Sequence, residues 1–122
     1  MKKILIVDDE PNIVMSLEYT FKKNNFVVYI ARDGQEALEI VKTELPDVII
    51  LDVMMPLVDG YATLEQIRAN EKLKDCKVIF LSAKNKESDI EKGLSLGANL
   101  YMTKPFSIKK LVEQVNELTA GM

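Results

Sequence analysis

Short runs of aliphatic and β-branched residues alternate along the chain with stretches in which apolar side chains return every three or four positions. The runs are Ile4 to Val7, Val27 to Ala31, Val48 to Leu51, Val78 to Leu81 and Leu100 to Met102. Each has strand length, and none shows the polar alternation of a strand with one wet face. The intervening stripes have helical spacing: Ile13, Leu17 and Phe21; Ala37, Leu38, Val41 and Leu45; Leu64 and Ile67; Ile90 and Leu94; Ile108, Leu111, Val112, Val115 and Leu118. This pattern predicts five βα units. Asp33-Gly34-Gln35-Glu36 carries the acceptor and the returning carboxylate of a capping box at the start of the second helix, and Ser107 is placed to cap the last.

Apolar strands joined through amphipathic helices predict a parallel sheet covered on both faces, because a sheet with one solvated face would alternate. The expectation is a single three-layer α/β domain over residues 1–122, doubly wound, with a five-stranded sheet in the flavodoxin-like order 2-1-3-4-5. In such sheets ligands sit beyond the carboxyl ends of the strands where the strand order reverses, here between strands 1 and 3. The strand ends to inspect are therefore Asp8-Asp9 and Asp52.

Composition narrows the function classes. With 122 residues, 48% apolar and 29% charged, the chain can bury one core and is too short for two ordinary domains. Its longest apolar runs fall far below the ~18 residues of a membrane span, and Met-Lys-Lys-Ile leads into a strand pattern rather than a cleavable signal, so a cytoplasmic location is expected. A lone Cys76 allows neither an internal disulfide nor a cysteine metal cluster, and its expected role is a buried inert thiol. Residues 1–61 carry 11 acidic and 6 basic side chains, against 8 and 10 in residues 62–122. That balance gives no reason to expect a nucleic-acid surface, and the excess of acid lies in the half that holds both inspected strand ends.

Strand 1 stops at Asp8-Asp9-Glu10 and strand 3 at Asp52. An acid at one strand end commonly caps a helix or begins a turn. Two acid-terminated strands side by side are different, since carboxylates within ~5 Å repel by about 3 kcal/mol per pair at an effective dielectric near 20. A cation is required. With no histidine and a single cysteine, softer metals lack ligands, whereas Mg²⁺ takes carboxylates, waters and a phosphate. Magnesium would let a carboxylate accept a phosphoryl group by screening one anion from another. Strand 4 ends at Leu81-Ser82-Ala83 and strand 5 at Thr103-Lys104-Pro105. They add a hydroxyl donor and a point positive charge to the same rim.

These residues together resemble the receiver domains of two-component response regulators, over essentially the whole length. The resemblance is carried by the strand into Asp8-Asp9-Glu10, by Asp52-Val53-Met54-Met55-Pro56-Leu57-Val58-Asp59-Gly60, by Ser82-Ala83, and by Gly97-Ala98 leading through Tyr101 to Lys104-Pro105-Phe106. It implies that Asp52 is the phosphoacceptor, that Asp8, Asp9, Asp52 and the carbonyl of Met54 hold Mg²⁺, and that Lys104 partners the phosphate, with a cis bond before Pro105. It also implies a switch pair, Ser82 and Tyr101. Phosphate would draw Ser82 inward, Tyr101 would turn from exposed to buried, and the face made by helix 4, strand 5 and helix 5 would change shape. The donor would be a phosphohistidine on a sensor histidine kinase or histidine phosphotransfer protein, and the chain would be a signalling phosphoacceptor rather than an enzyme acting on other molecules. Lys84 and Met54 occupy positions that in this family influence acyl-phosphate lifetime.

Asn99-Leu100 departs from the winged-helix branch of the family, which often has two acids there, and this weakens the expectation of that branch's dimer. No DNA-binding module lies between the last helix pattern and Met122, so the output is either a protein contact or a linked domain. Three other readings are weaker. A flavodoxin-like FMN carrier would need a Ser-, Thr- and Gly-rich loop after strand 1, where Asp8-Asp9-Glu10-Pro11 repels phosphate and lacks an amide. An aspartyl-phosphate phosphatase of the haloacid-dehalogenase type would place its nucleophile on strand 1, with a second Asp two residues on. A receiver-like binding module without phosphorylation would normally have lost one of the acids, the Ser or the Lys.

Overall fold

The computed structural model describes every residue, Met1–Met122. Five strands, β1 (Lys3–Val7), β2 (Val27–Ala31), β3 (Val48–Leu51), β4 (Lys77–Ser82) and β5 (Leu100–Thr103), form one sheet in the order β2-β1-β3-β4-β5. Every neighbouring pair is parallel. Five helices alternate with them: α1 (Pro11–Lys23), α2 (Gly34–Glu44), α3 (Gly60–Ala69), α4 (Glu87–Ser95) and α5 (Ile108–Thr119), with a 3-10 turn at Glu71–Leu73. This is the doubly wound, three-layer α/β arrangement expected from the alternation, with the flavodoxin-like strand order.

The side-chain period of two divides each central strand between two cores. Leu5, Val7, Ile49, Leu51, Val78 and Phe80 face α2 and α3, where Ala37, Val41, Leu64 and Ile67 meet them. Ile4, Ile6, Val48, Ile50, Ile79 and Leu81 face α1 and α5, packing on Leu17, Phe21, Leu111 and Val115. Burying a side chain such as Leu17 or Phe21 completely contributes roughly 1.5–3 kcal/mol, and both are fully buried. β2 and β5 are the sheet edges and are mostly half-buried.

Helix starts follow the capping signals in part. Asp33 accepts from the Glu36 amide at 2.8 Å, which supplies one half of the expected box, and Ser107 accepts from the Lys110 amide at 3.2 Å. Asp59 caps α3 through the Ala62 amide at 2.9 Å. At the next residue, a β-carbon added to Gly60 would fall 2.2 Å from the Asp52 carbonyl oxygen. Only a glycine lets the start of α3 lie that close to the end of β3.

In α4 the expected stripe of Ile90 and Leu94 is not what the helix buries: Ile90 is half-buried, Leu94 is 44% exposed, and Gly93 is its one buried residue. A β-carbon at Gly93 would fall 2.9 Å from Phe80 Cδ2 and 3.0 Å from Tyr101 Cδ2. The helix therefore rests on two aromatic rings through its smallest residue. At the opposite end of the sheet from the acids, Arg68 donates to the carbonyls of Gly97 (3.0 Å) and Cys76 (2.8 Å) and to Asn99 Oδ1 (3.1 Å). Asn99 Oδ1 also accepts from the Val78 amide at 2.8 Å, so this side chain is committed within the domain. No helix is long and apolar enough to cross a membrane.

Candidate functional site

The hydrogen-bond ladder of the sheet continues one residue past three strand ends and fixes the main chain of the site. Asp8 N donates to Ala31 O at 3.1 Å, Asp52 N to Val7 O at 3.0 Å and Lys104 N to Ser82 O at 2.8 Å. Asp8, Asp52 and Lys104 are thus mounted on the rigid centre of the fold, and they point into one space at the β1/β3 rim.

Lys104 organises that space. Its Nζ donates to Glu10 Oε1 at 2.8 Å, to Asp8 Oδ2 at 3.0 Å and to Asp52 Oδ2 at 3.3 Å. Asp8 and Asp52 are only 3% and 5% exposed. Their second oxygens are held by local amides, Glu10 N on Asp8 Oδ1 (2.9 Å) and Met54 N on Asp52 Oδ1 (3.2 Å). No buried side-chain nitrogen or oxygen lacks a partner. Desolvation by burial raises the Asp8 pKa above 3.8, and the Asp52 charge adds to this; the Glu10 amide and the Lys104 ammonium act in the opposite direction. For Lys104, burial by itself would lower the pKa. The hydrogen bonds to Glu10 and Asp8, with the charges of Asp52 and Asp8, outweigh it and hold the ammonium above its usual range.

Oxygen atoms of Asp8, Glu10 and Asp52 lie within 4.8 Å of one another. A set of three carboxylates without imidazole or thiolate suits a hard divalent cation, so the residues present fit a metal of the magnesium type. Asp9, expected among the ligands, is exposed and stands outside this trio, while Glu10 takes part. Glu10 ends the acidic stretch Asp8-Asp9-Glu10, and the stretch by itself does not distinguish it from its neighbours. It lies two residues after Asp8, and the ammonium it pairs with is 94 positions away.

Ser82 and Tyr101 line the adjoining side. Ser82 is fully buried and its Oγ accepts from the Lys84 amide at 3.2 Å. Tyr101 is half-buried, with its hydroxyl donating to the Lys84 carbonyl at 2.8 Å. The ring is therefore turned inward. Burial raises its pKa, opposed by the nearby Ser82 and Tyr61 hydroxyls. The Lys104–Pro105 peptide bond is cis. Met54 is 56% exposed.

A parallel sheet with buried acids at the switch point, a lysine across them and a hydroxyl beside them defines a receiver-type module. The chain belongs to the response regulator receiver domain family, whose model matches residues 4–116. It is 44% identical over 117 residues to the alkaline phosphatase synthesis transcriptional regulatory protein PhoP of Bacillus subtilis (strain 168), covering 96% of this chain and 48% of that one. The chain thus spans about half the length of this curated relative. Among solved structures it resembles the receiver domain of the Francisella response regulator 1452, with 37% identity, a TM-score of 0.89 and coverage of 97% of this chain and 96% of that one. The chemotaxis protein CheY4 of Vibrio cholerae superposes with 29% identity, a TM-score of 0.90 and coverage of 97% of this chain and 98% of that one.

Proposed function

We propose that this domain accepts a phosphoryl group on Asp52 from a phosphohistidine of a sensor kinase or phosphotransfer protein, with Mg²⁺ bound, and relays the change through the face formed by α4, β5 and α5. The observation that carries this reading is the single ammonium shared by Asp8, Glu10 and Asp52 at the strand-end rim. Asp8, Asp52 and the Met54 carbonyl would hold the metal, with Glu10 or Asp9 completing the acidic set. When bound, the ion supplies charge neutralisation that lets a carboxylate meet a phosphoryl group.

This chain's own residues supply the rest. An Asp52 carboxylate oxygen forms the new bond to phosphorus as the phosphorus–nitrogen bond breaks, and the electron pair leaves with the donor imidazole. Lys104 presents its charge to the transferred oxygens and Ser82 its hydroxyl. Access for the donor is supported by an open cleft of about 490 Å³ lined by Glu10, Ile13, Ala83, Lys104, Pro105 and Phe106. The curated relative is named a transcriptional regulator, and a linked DNA-binding output is one form this relay can take; a separate protein partner is the other.

The test is incubation with Mg²⁺ and acetyl phosphate, read by intact mass for the wild type and Asp52→Asn. One phosphoryl group per chain is expected on the wild type and none on the variant. An unlabelled wild type would leave a receiver fold used as a binding module. Catalytic turnover of a phosphomonoester would point to the phosphatase chemistry instead.

A further inference from the structure

α4 is held to the sheet by little apolar burial, since Gly93 is its one buried residue. Polar and aromatic contacts hold it instead. Tyr101 donates to the Lys84 carbonyl just before the helix. Within the helix, the Tyr61 hydroxyl donates to the Asp89 carbonyl at 3.0 Å, and the Lys92 ammonium stands 4.5 Å from the centroid of the Tyr61 ring. A carbonyl oxygen has two lone pairs, so the bond from Tyr61 does not displace one of the helix's own.

Tyr61 itself is well anchored. It is 7% exposed, and it follows Gly60, which lies against the main chain of Asp52. Its ring meets Phe80 at 5.6 Å between centroids and 65° between planes, and Phe80 meets Tyr101 at 5.6 Å and 47°. Three rings therefore run in a row beneath α4, with a phenol at each end bonded to main chain in or just before the helix. Burial first, then the charges of Tyr101 and Asp89, push the Tyr61 phenol up to about 12, so it stays protonated and able to donate across the physiological range.

We propose that Tyr61 is a positioning residue for the phosphoryl switch: its hydroxyl holds α4 over the inward ring of Tyr101 and gives the β3–α3 junction beside Asp52 its own link to the α4 face. The inference rests on the phosphoacceptor reading above and adds a connection that does not run through Ser82. An arrangement of α4 favoured by Tyr61 is also the one in which Tyr101 is turned inward, so a phosphoryl group that selects the inward ring is linked to the Tyr61 bond.

The test uses the whole domain with Mg²⁺ and beryllofluoride as the phosphoryl mimic. Binding is followed by fluorine NMR for the wild type, Tyr61→Phe, Tyr101→Phe and the double variant, with hydrogen exchange of the α4 amides alongside. Tyr61→Phe removes one oxygen and is expected to weaken binding about fivefold, the scale of one net hydrogen bond, and to speed α4 exchange. The two single effects should be non-additive in the double variant, because both phenols hold the same helix. Lys92→Gln, an exposed change that leaves the core untouched, should move binding in the same direction by less and keeps the test open if Tyr61→Phe folds poorly. Wild-type affinity and unchanged α4 exchange in Tyr61→Phe would overturn the proposal. So would a lower melting temperature with both of those unchanged, which is the mark of packing alone. A wild type that takes up no beryllofluoride sinks the phosphoacceptor reading first, and this inference with it.

Discussion

Replacing Lys104 by Met removes one charge from a site that holds four. In the wild type its ammonium lies 2.8, 3.0 and 3.3 Å from oxygens of Glu10, Asp8 and Asp52. At an effective dielectric near 20, each such contact corresponds to about 5 kcal/mol of attraction, and each pair of carboxylates left behind to ~3 kcal/mol of repulsion. Neither sum is realised in full, because Glu10 is 56% exposed and can swing into water. The lasting cost is that of leaving Asp8 and Asp52 buried without a counter-charge, about 3–5 kcal/mol. Urea denaturation near neutral pH, without divalent ions, should show a loss of that size. The loss should shrink as pH falls. A raised folded pKa, as for Asp8, contributes stability that is present below its ordinary value of 3.8 and is lost as pH rises through the raised one. Without Lys104 that pKa rises further, so acid protects the variant more than the wild type. Mg²⁺ should likewise stabilise the variant more. A variant as stable as the wild type at neutral pH, with the same response to Mg²⁺, would refute the claim that these carboxylates feel one another.

Gly93→Ala sets helix propensity against space. Alanine favours the helix by about 1 kcal/mol, but its β-carbon would lie 2.9 Å from Phe80 and 3.0 Å from Tyr101. Phe80 is fully buried and cannot yield, so Tyr101 should turn outward, read as a change in its ring chemical shifts; a stabilised variant with that ring unmoved contradicts this. Burial pushes the Cys76 thiol up to about 12 from 9.0. It should resist a water-soluble thiol reagent in the folded protein near neutral pH and react fully in urea. Because the folded thiol keeps its proton longer, its contribution to stability should fall as pH rises from 9.0 towards about 12, seen as a falling urea midpoint in that window.

The strands were legible because a continuous apolar run between helical stripes has few other uses, and β3 in particular begins and ends at the predicted residues; their order is carried by the family resemblance, since the same alternation also suits other doubly wound sheets. What escaped the sequence was contact made by distant residues. Leu94 belongs to a helical stripe by spacing, yet α4 sits so close to Phe80 and Tyr101 that a glycine takes the buried position instead. Glu10 reads as a third acid in a row until Lys104 is seen to reach it. Arg68 carried no signal at all. Its role depends on carbonyls at Cys76 and Gly97 that two separate loops deliver to one point. Asp52 and Ser82 were visible for the opposite reason, since a polar residue that halts a buried strand contradicts its surroundings locally.

Lys104 meets its three carboxylates across 96, 94 and 52 positions of chain. During synthesis the acids emerge first, and β5 must add to the sheet edge before their balancing charge arrives. A nascent or truncated chain that ends before β5 carries Asp8 and Asp52 without the ammonium that balances them. Charge balance at the rim is thereby tied to completion of the sheet, and an unfinished copy bears an uncompensated acidic pair.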